Sequence, residues 1–222
     1  MRFFVIPVSL IGLCLLYFVF VGLSIIPGLV LLPKKKKNTI DGVITIQDAI
    51  RKSRETGFSG WELAGYAQIL AARKFTYSRR NSWESPEKAF ARGMGYCYQQ
   101  SLALQKIYDG LGIPSTLVYG QGYFPESTIH GVIEPASKQN HAWLEVKMNG
   151  ESRYVCPGHP DNAPGRYHFT IKTQVKEMSG ILRFFTFTGA IMVNAARDFR
   201  STRFRGKSKI QLKNRTEFWL NK

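Results

Sequence analysis

The chain opens with a long apolar segment and then changes to a mixed polar and apolar pattern. Residues 3–32 carry no charged side chain, and four lysines follow at 34–37. An apolar helix of about 20 residues already crosses a hydrocarbon core of about 30 Å, so this pattern predicts one N-terminal transmembrane helix that ends or kinks at Pro27-Gly28. By the positive-inside rule, the lysines after it predict a single-pass membrane protein whose soluble domain faces the cytoplasm.

The next part of the chain has apolar residues at helical spacing. Capping boxes at Thr45 and Ser59 and a later serine–proline pair mark three helix starts. The predicted helices cover residues 45 to about 55, 59 to about 74, 86 to about 92 and 97 to about 109. In the helix at 97–109, apolar residues that include Leu104 and Ile107 recur at helical spacing. Cys97 therefore lies in the first turn of this predicted helix.

Alternating polar and apolar residues then predict antiparallel strands. The predicted strands cover residues 115–121, 141–148 and 151–156. Asn149-Gly150 is a strong signal for a two-residue hairpin turn, and this turn places His141 and Cys156 on one face of the hairpin as diagonal neighbours. Residues 122–140 are rich in turn formers and are predicted to be a long loop.

The net charge of the chain indicates a candidate binding partner. The chain has 31 Lys and Arg against 15 Asp and Glu, a formal net charge of +16. Basic residues beside a bilayer are attracted to anionic lipid, and no nucleic-acid motif accompanies them, so the expected partner is a membrane and not a nucleic acid. The predicted organisation is a transmembrane anchor at 1–33, a basic juxtamembrane linker at 34–44, an α+β domain at 45–178 and a basic extension at 179–222 that packs on the domain or lies at the membrane interface.

The candidate chemistry centres on Cys97 at a helix start. The partial positive charge there favours a thiolate over a thiol, and the imidazole of His141 would act as the proton shuttle. Two glycines ahead of the cysteine allow close backbone approach. Tyr96 and Gln99 flank the cysteine and are candidate donors to an oxyanion, together with backbone N–H groups.

Three segments carry a family resemblance. They are Ser-Pro-Glu-Lys-Ala-Phe through Gly-Tyr-Cys at 85–97, Leu-Gly-Ile-Pro-Ser at 111–115 and His-Ala-Trp-Leu-Glu-Val at 141–146, and in this order they resemble the transglutaminase-like superfamily over roughly residues 45–161. The resemblance implies a papain-like α+β fold in which the cysteine-bearing helix packs on an antiparallel sheet. It also implies a thiol enzyme that hydrolyses or transfers peptide or isopeptide amides, with Cys97 as nucleophile, His141 as general base, a peptide or protein substrate and no cofactor.

The chain departs from the family at the third catalytic position. The family's Asp opens an Asp-Pro pair, whereas this chain has Cys156-Pro157. One possibility is that Asp161 reaches back and replaces the missing carboxylate. Another is a Cys/His dyad in which Asn162 or a backbone carbonyl fixes the tautomer of the imidazole. The third is a catalytically degenerate domain that binds a protein or peptide at the membrane.

Cys156 opens two further alternatives. Cys156 and His159 have Cys-x-x-His spacing, and with Cys97 and His141 they would complete a tetrahedral Cys₂His₂ zinc site. If the domain is exported instead of cytoplasmic, a disulfide between Cys97 and Cys156 would lock the nucleophile in an oxidised form.

Overall fold

The structure is a computed structural model that describes residues 5–30, 40–129, 132–134 and 136–204. The predicted lysine run, most of the predicted linker and the end of the basic extension lie outside these residues. Six helices are formed in the described part of the chain: α1 Val5–Val30, α2 Ile46–Arg54, α3 Gly60–Lys74, α4 Pro86–Arg92, α5 Cys97–Leu111 and α6 Gly180–Phe204. The strands are β1 Thr76–Tyr77, β2 Met94–Gly95, β3 Ser115–Phe124, β4 Ser127–Ile129, β5 Val132–Glu134, β6 Ser137–Met148, β7 Glu151–Val155, β8 Thr170–Ile171 and β9 Lys176–Glu177.

The chain divides into two compact units, and the smaller one combines residues 1–32 with 186–222. In this unit the hydroxyl groups of Tyr17 and Thr188 share a hydrogen bond. Helix α1 continues through Pro27 to Val30, so it does not end at Pro27-Gly28, and a kink there stays a prediction. Within the described ranges, no helix is found that is both long and apolar enough to cross a membrane. The predicted transmembrane helix is therefore not supported.

The larger unit, residues 33–185, is a mixed α+β structure. Its helices begin where the sequence predicts. Thr45 accepts the Asp48 N–H and Asp48 accepts the Thr45 N–H at 2.8 Å, a complete capping box for α2. Ser85 caps α4 by accepting the Lys88 N–H. Ser59 makes no such bond at the start of α3, so the second predicted capping box is absent.

The sheet of this unit is antiparallel, with strand order β7-β6-β3-β8 and with β9 also paired to β3. The hairpin register is the predicted one, because Met148 faces Glu151 and Leu144 faces Val155. Asn149 and Gly150 both have positive φ, 54° and 79°, as a two-residue type I′ turn requires. The hairpin signal in the sequence therefore fixed both the turn and the pairing.

The predicted loop at 122–140 is largely wrong. Strand β3 continues to Phe124 and pairs there with Ser137 of β6, and β4 and β5 form a second antiparallel pair between them. The turn-forming residues in this stretch hide the strands, because the backbone pairing is set by the partner strand and not by local residue preference.

Helix α5 forms the centre of the core and packs on α2, α3 and the sheet. Ala103, Leu104 and Ile107 are completely buried, as their predicted stripe requires. Ser101 Oγ donates to the Ala142 carbonyl of β6 at 3.0 Å. Tyr108 Oη donates to a carbonyl of α3 at 2.8 Å. The Ser101 bond holds the N-terminal part of α5 against the strand that carries His141, and the Tyr108 bond ties the C-terminal part of α5 to α3.

The glycines ahead of Cys97 have two different roles. Gly93 ends α4 in the left-handed region, with φ 76°. Gly95 lies where a Cβ atom would be 3.1 Å from Phe75 Cε1 and 3.2 Å from Gln99 Oε1. A side chain at position 95 would therefore require Phe75 or Gln99 to shift by a few tenths of an ångström.

We expect Gly95→Ala to lower the free energy of unfolding by about 1–3 kcal/mol, the usual cost of overpacking a filled interior. Gly180→Ala is the matched control, because a Cβ atom there meets nothing within 4 Å, and its effect should stay within about 0.5 kcal/mol. Urea unfolding followed by circular dichroism measures both. Equal changes in the free energy of unfolding for the two substitutions would show that the close packing at Gly95 does not contribute to stability.

Candidate active site

The backbone before Cys97 is fixed by the Gln99 side chain. Gln99 Oε1 accepts the Tyr96 N–H at 3.2 Å, and its Nε2 donates to the carbonyls of Asn81 and Glu84, each at 2.8 Å. The side chain is 1% exposed. Because its amide is already used in three bonds, Gln99 positions the helix start and is not available as the oxyanion donor that the sequence suggested.

Cys97 is the first residue of α5 and lies against β6. The backbone N–H of Ala142 is close enough to the Cys97 thiol to lower its pKa, and Ala142 directly follows His141 in β6. The structure therefore brings the two predicted residues, the thiol and the imidazole, to one place although 44 positions separate them in the chain. Cys97 is neither fully buried nor fully exposed.

The protonation state of Cys97 is set by two opposing effects. Burial raises the pKa of its thiol above the usual value, while the N–H groups of Ala142 and Tyr98 and the charge of Arg79 lower it. Burial is the larger effect, so the N–H groups at the helix start lower the pKa as expected but the pKa of the thiol is raised overall. A few N–H groups do not replace the hydration that an ionised sulfur loses.

His141 lies among aromatic rings. Its ring centroid is 4.9 Å from that of Phe169, 5.2 Å from that of Phe124 and 5.8 Å from that of Trp143. Burial in this apolar setting lowers the pKa of the imidazole to about 3, with a smaller contribution from His168. The resting site is therefore a neutral thiol beside a neutral imidazole.

The sulfur of Cys156 is the hydrogen-bond partner of the His141 imidazole. His141 Nε2 lies 3.2 Å from Cys156 Sγ, as the hairpin register predicts for diagonal neighbours on one face. Cys156 is 1% exposed, and burial raises the pKa of its thiol to about 12. Its sulfur also accepts the Gly158 N–H at 3.4 Å. The position that the family gives to a carboxylate is filled here by a neutral thiol.

Asp161 lies at the surface. Its side chain is 88% exposed, and its carboxylate is 3.5 Å from His159 Nδ1. The described contacts thus bring Cys97, His141 and Cys156 together and place Asp161 beside another histidine. A catalytic role for Asp161 stays a prediction.

Asn162 is buried and ties two parts of the site together. Its Nδ2 donates to the Cys156 carbonyl at 2.9 Å, and its side chain is hydrogen-bonded to His168 Nδ1. Gln68 Nε2 donates to the same carbonyl at 3.2 Å. Asn162 therefore acts on Cys156 and His168, and the predicted direct contact with His141 is replaced by this indirect one.

The metal and disulfide alternatives were also weighed at this site. Among the residues described, including the four proposed zinc ligands, no group of three or more His, Cys, Asp or Glu side chains is placed to hold a metal ion. Cys14, Cys97 and Cys156 are all free thiols. Neither the Cys₂His₂ site nor the disulfide is therefore supported.

Sequence reasoning missed two side chains near Cys97. Tyr77 in β1 is paired with Gly95 in β2, and Arg79 Nε donates to its hydroxyl at 3.0 Å. Both are close enough for charge coupling, since Arg79 lowers the pKa of the Cys97 thiol and Cys97 contributes to a raised pKa of Tyr77. Two-residue strands such as β1 leave no pattern in the sequence that would reveal this pair.

Comparisons with known proteins place the chain in a wider group. A family model described as "Transglutaminase-like superfamily" matches residues 37–156, slightly more than half of the chain. No match is found among the curated proteins. One solved structure, titled "Crystal structure of a TGase", is similar at 16% identity with a TM-score of 0.37, over 50% of this chain and 30% of that chain. The chain thus spans under a third of that protein's length, and a likeness this weak adds nothing to the argument.

Acid should destabilise the protein through its buried histidines. The pKa of His141 falls to about 3 and that of His168 to about 4, both below the usual 6.5. A depressed histidine pKa stabilises the folded state fully above pH 6.5, and this stability is lost as the pH falls toward 3. Urea unfolding between pH 7.5 and 4 should show a decline of at most about 1.4 kcal/mol per pH unit from His141, with a smaller part from the partly exposed His168.

His168→Gln is the matched variant, because an amide can still pair with Asn162. We expect it to be less sensitive to pH below 6.5 than the unsubstituted protein. A decline of the same steepness in both proteins would contradict the assignment of His168 as a buried neutral group.

Proposed function

The chain belongs to the transglutaminase-like superfamily, and on this premise we propose that it is a thiol enzyme that hydrolyses or transfers peptide or isopeptide amides. The three sequence segments that resemble the family lie within or beside the matched region, and the cysteine-bearing helix packs on an antiparallel sheet as the family fold requires. The acyl donor would be a side-chain or backbone amide of a peptide or protein.

One observation carries the proposal. The backbone N–H of Ala142 is close enough to the Cys97 thiol to lower its pKa, and Ala142 directly follows His141 in β6, which supports Cys97 as the nucleophile beside that histidine. The Nε2 atom of that ring is occupied by Cys156, so Nδ1 is the nitrogen left to receive the thiol proton.

The reaction would proceed through a thioester. Cys97 Sγ attacks the amide carbonyl carbon while its proton passes to Nδ1 of His141, and the C–N bond then breaks as that proton moves to the leaving nitrogen. Water or an amine next attacks the thioester, His141 takes its proton, and Cys97 is released as the thiol. The depressed pKa keeps the imidazole unprotonated at neutral pH but also makes it a weak base, so the thiol proton would pass to it only as the negative charge moves from the sulfur to the carbonyl oxygen.

Tyr96 is the proposed side-chain donor to the developing oxyanion. Its hydroxyl is buried and has no hydrogen-bond partner among the residues that the structure describes. Burial and the neighbouring Cys97 raise the pKa of this phenol, so it remains a neutral O–H donor at any working pH. Donors placed where charge develops contribute strongly in a site shielded from water.

A second candidate function is a binding module without catalysis. It is favoured by the absence of a carboxylate at the Nε2 atom of His141 and by pKa shifts that oppose an ion pair of thiolate and imidazolium. In that case the same cleft would bind a peptide segment without forming a covalent bond. Only a test for the covalent intermediate separates the two functions.

The test is capture of the thioester in the full-length protein. Mixed peptides that contain glutamine and isopeptide bonds are incubated with the protein and quenched in acid, and mass spectrometry locates the acyl adduct; hydroxylamine added in parallel should give hydroxamates. We expect the adduct on Cys97 and none on Cys97→Ala, and His141→Ala should slow its formation by about 100-fold or more.

The controls separate chemistry from folding. Cys14→Ala removes an exposed thiol far along the chain from the site and should leave adduct formation unchanged. An adduct that persists in Cys97→Ala, or its complete absence with every amide tested, would overturn the proposed enzyme and favour the binding module.

We further propose that the N-terminal segment attaches the chain to a membrane with the larger unit on the cytoplasmic side. Support comes from the exposed apolar side chains of α1, which are all more than half exposed: Leu10, Leu13, Leu16, Phe20 and Leu23. The four lysines that follow at 34–37 suit an anionic lipid surface.

Membrane attachment predicts that the full chain stays with the membrane fraction after alkaline carbonate extraction. A chain that begins at residue 40, and so lacks the apolar segment and the lysines, should be released under the same conditions. Release of the full chain as well would contradict the attachment, since high pH removes proteins held by charge alone and leaves those held by apolar side chains buried in the lipid.

A further inference from the structure

We propose that Cys156 is the positioning residue of this site: its sulfur accepts the Nε2–H of His141 and thereby leaves Nδ1 unprotonated and directed to its work as base. The catalytic meaning of this inference rests on the proposed function, but the hydrogen bond itself does not. The inference assigns the third position of the site to a neutral thiol in place of a carboxylate.

The geometry supports a fixed contact. Nε2 and Sγ are 3.2 Å apart, and Cys156 is 1% exposed, so water has little access to the sulfur. The backbone of residue 156 is held as well, because its carbonyl accepts hydrogen bonds from both Gln68 and Asn162. The sulfur is therefore presented to the ring by a backbone that is anchored on two sides.

The direction of the bond follows from the donors present. An imidazole N–H is a good donor, whereas a thiol S–H is a weak one. The Gly158 N–H also donates to the sulfur, at 3.4 Å, so the sulfur of Cys156 already acts as a hydrogen-bond acceptor. With Nε2 as the protonated nitrogen, the lone pair of the ring lies on Nδ1.

A neutral partner suits the rest of the site. The His141 ring is enclosed by Phe124, Trp143 and Phe169, a setting that penalises an imidazolium. A carboxylate at position 156 would raise the pKa of the ring and favour an ion pair with Cys97. The thiol instead orients the ring without charging it, so the tautomer is selected while the site stays neutral.

This arrangement differs from a dyad in a measurable way. In a dyad whose ring is oriented only by packing, removal of the Cys156 sulfur would not change the tautomer. In the arrangement proposed here, removal of the sulfur leaves the Nε2 atom of His141 without its hydrogen-bond partner, and both tautomers of the ring become populated. A wrongly placed imidazole proton is costly for a base, because the nitrogen that faces the nucleophile then has no lone pair.

The first test reads the tautomer directly and needs no substrate. Nitrogen-15 spectra of the His141 ring in the full-length protein at pH 7 should show a protonated Nε2 and an unprotonated Nδ1. Cys156→Ala should give averaged or reversed nitrogen shifts, and Cys156→Ser, with a hydroxyl that accepts a hydrogen bond, should restore the original pattern. His141→Gln identifies the signals, and circular dichroism confirms that each variant is folded.

The second test uses a carboxylate at the same position. Cys156→Asp should raise the pH at which the His141 ring titrates by at least one unit, and should increase the alkylation rate of Cys97 by iodoacetamide at pH 7. Asp161→Asn is the matched control and should change neither quantity. Cys156→Ala should lower the kcat of thioester formation about 10-fold, the loss of one hydrogen bond, with KM unchanged.

The outcomes separate this inference from the proposed function. Unchanged nitrogen shifts in Cys156→Ala would overturn the positioning role whatever the activity. The expected shifts in a protein that forms no thioester would uphold the hydrogen bond and overturn the enzyme. A change in both quantities with Asp161→Asn would return the third position to Asp161 and overturn the inference.

Discussion

The first turn of α5 is pinned to β6 at Ala142, and the rest of the site depends on this contact. Ser101 donates to the carbonyl of Ala142, and the N–H of the same residue is close enough to Cys97 to lower the pKa of its thiol. One strand residue therefore both holds the helix that carries the thiol and acts on the thiol. Since Ala142 follows His141, any shift of the helix along the strand would separate the two catalytic candidates.

The same close packing determines the direction in which the pKa values of Cys97 and His141 shift. A helix start beside several N–H groups would normally stabilise a thiolate, yet burial outweighs these groups and the pKa of Cys97 rises. The aromatic enclosure of His141 acts in the same sense, because it disfavours the imidazolium. In the proposed enzyme, a site built this way would generate its nucleophile during attack, when the proton moves to the base, and would not store a thiolate in the resting state.

Neutrality also explains how the site tolerates cysteine at position 156. A buried carboxylate needs several donors or a cation to offset the loss of hydration, and this hairpin end offers the sulfur one N–H from Gly158 together with the uncharged ring of His141. A neutral thiol has no such requirement. The aromatic rings, the thiol at 156 and the depressed pKa of the imidazole are thus mutually consistent, whether the domain catalyses a reaction or binds a peptide.

The sequence by itself determined the features that depend on neighbouring residues. The capping box at Thr45, the stripe of α5 and the Asn149-Gly150 turn predicted helix starts and a strand register that the structure confirms, and the register already placed Cys156 beside His141. Only the tertiary structure decided the extension of β3 and β6 into the predicted loop and the docking of Gln99. It also decided the protonation of the site, because pairing and desolvation depend on groups that are distant in the chain and meet only when the core is formed.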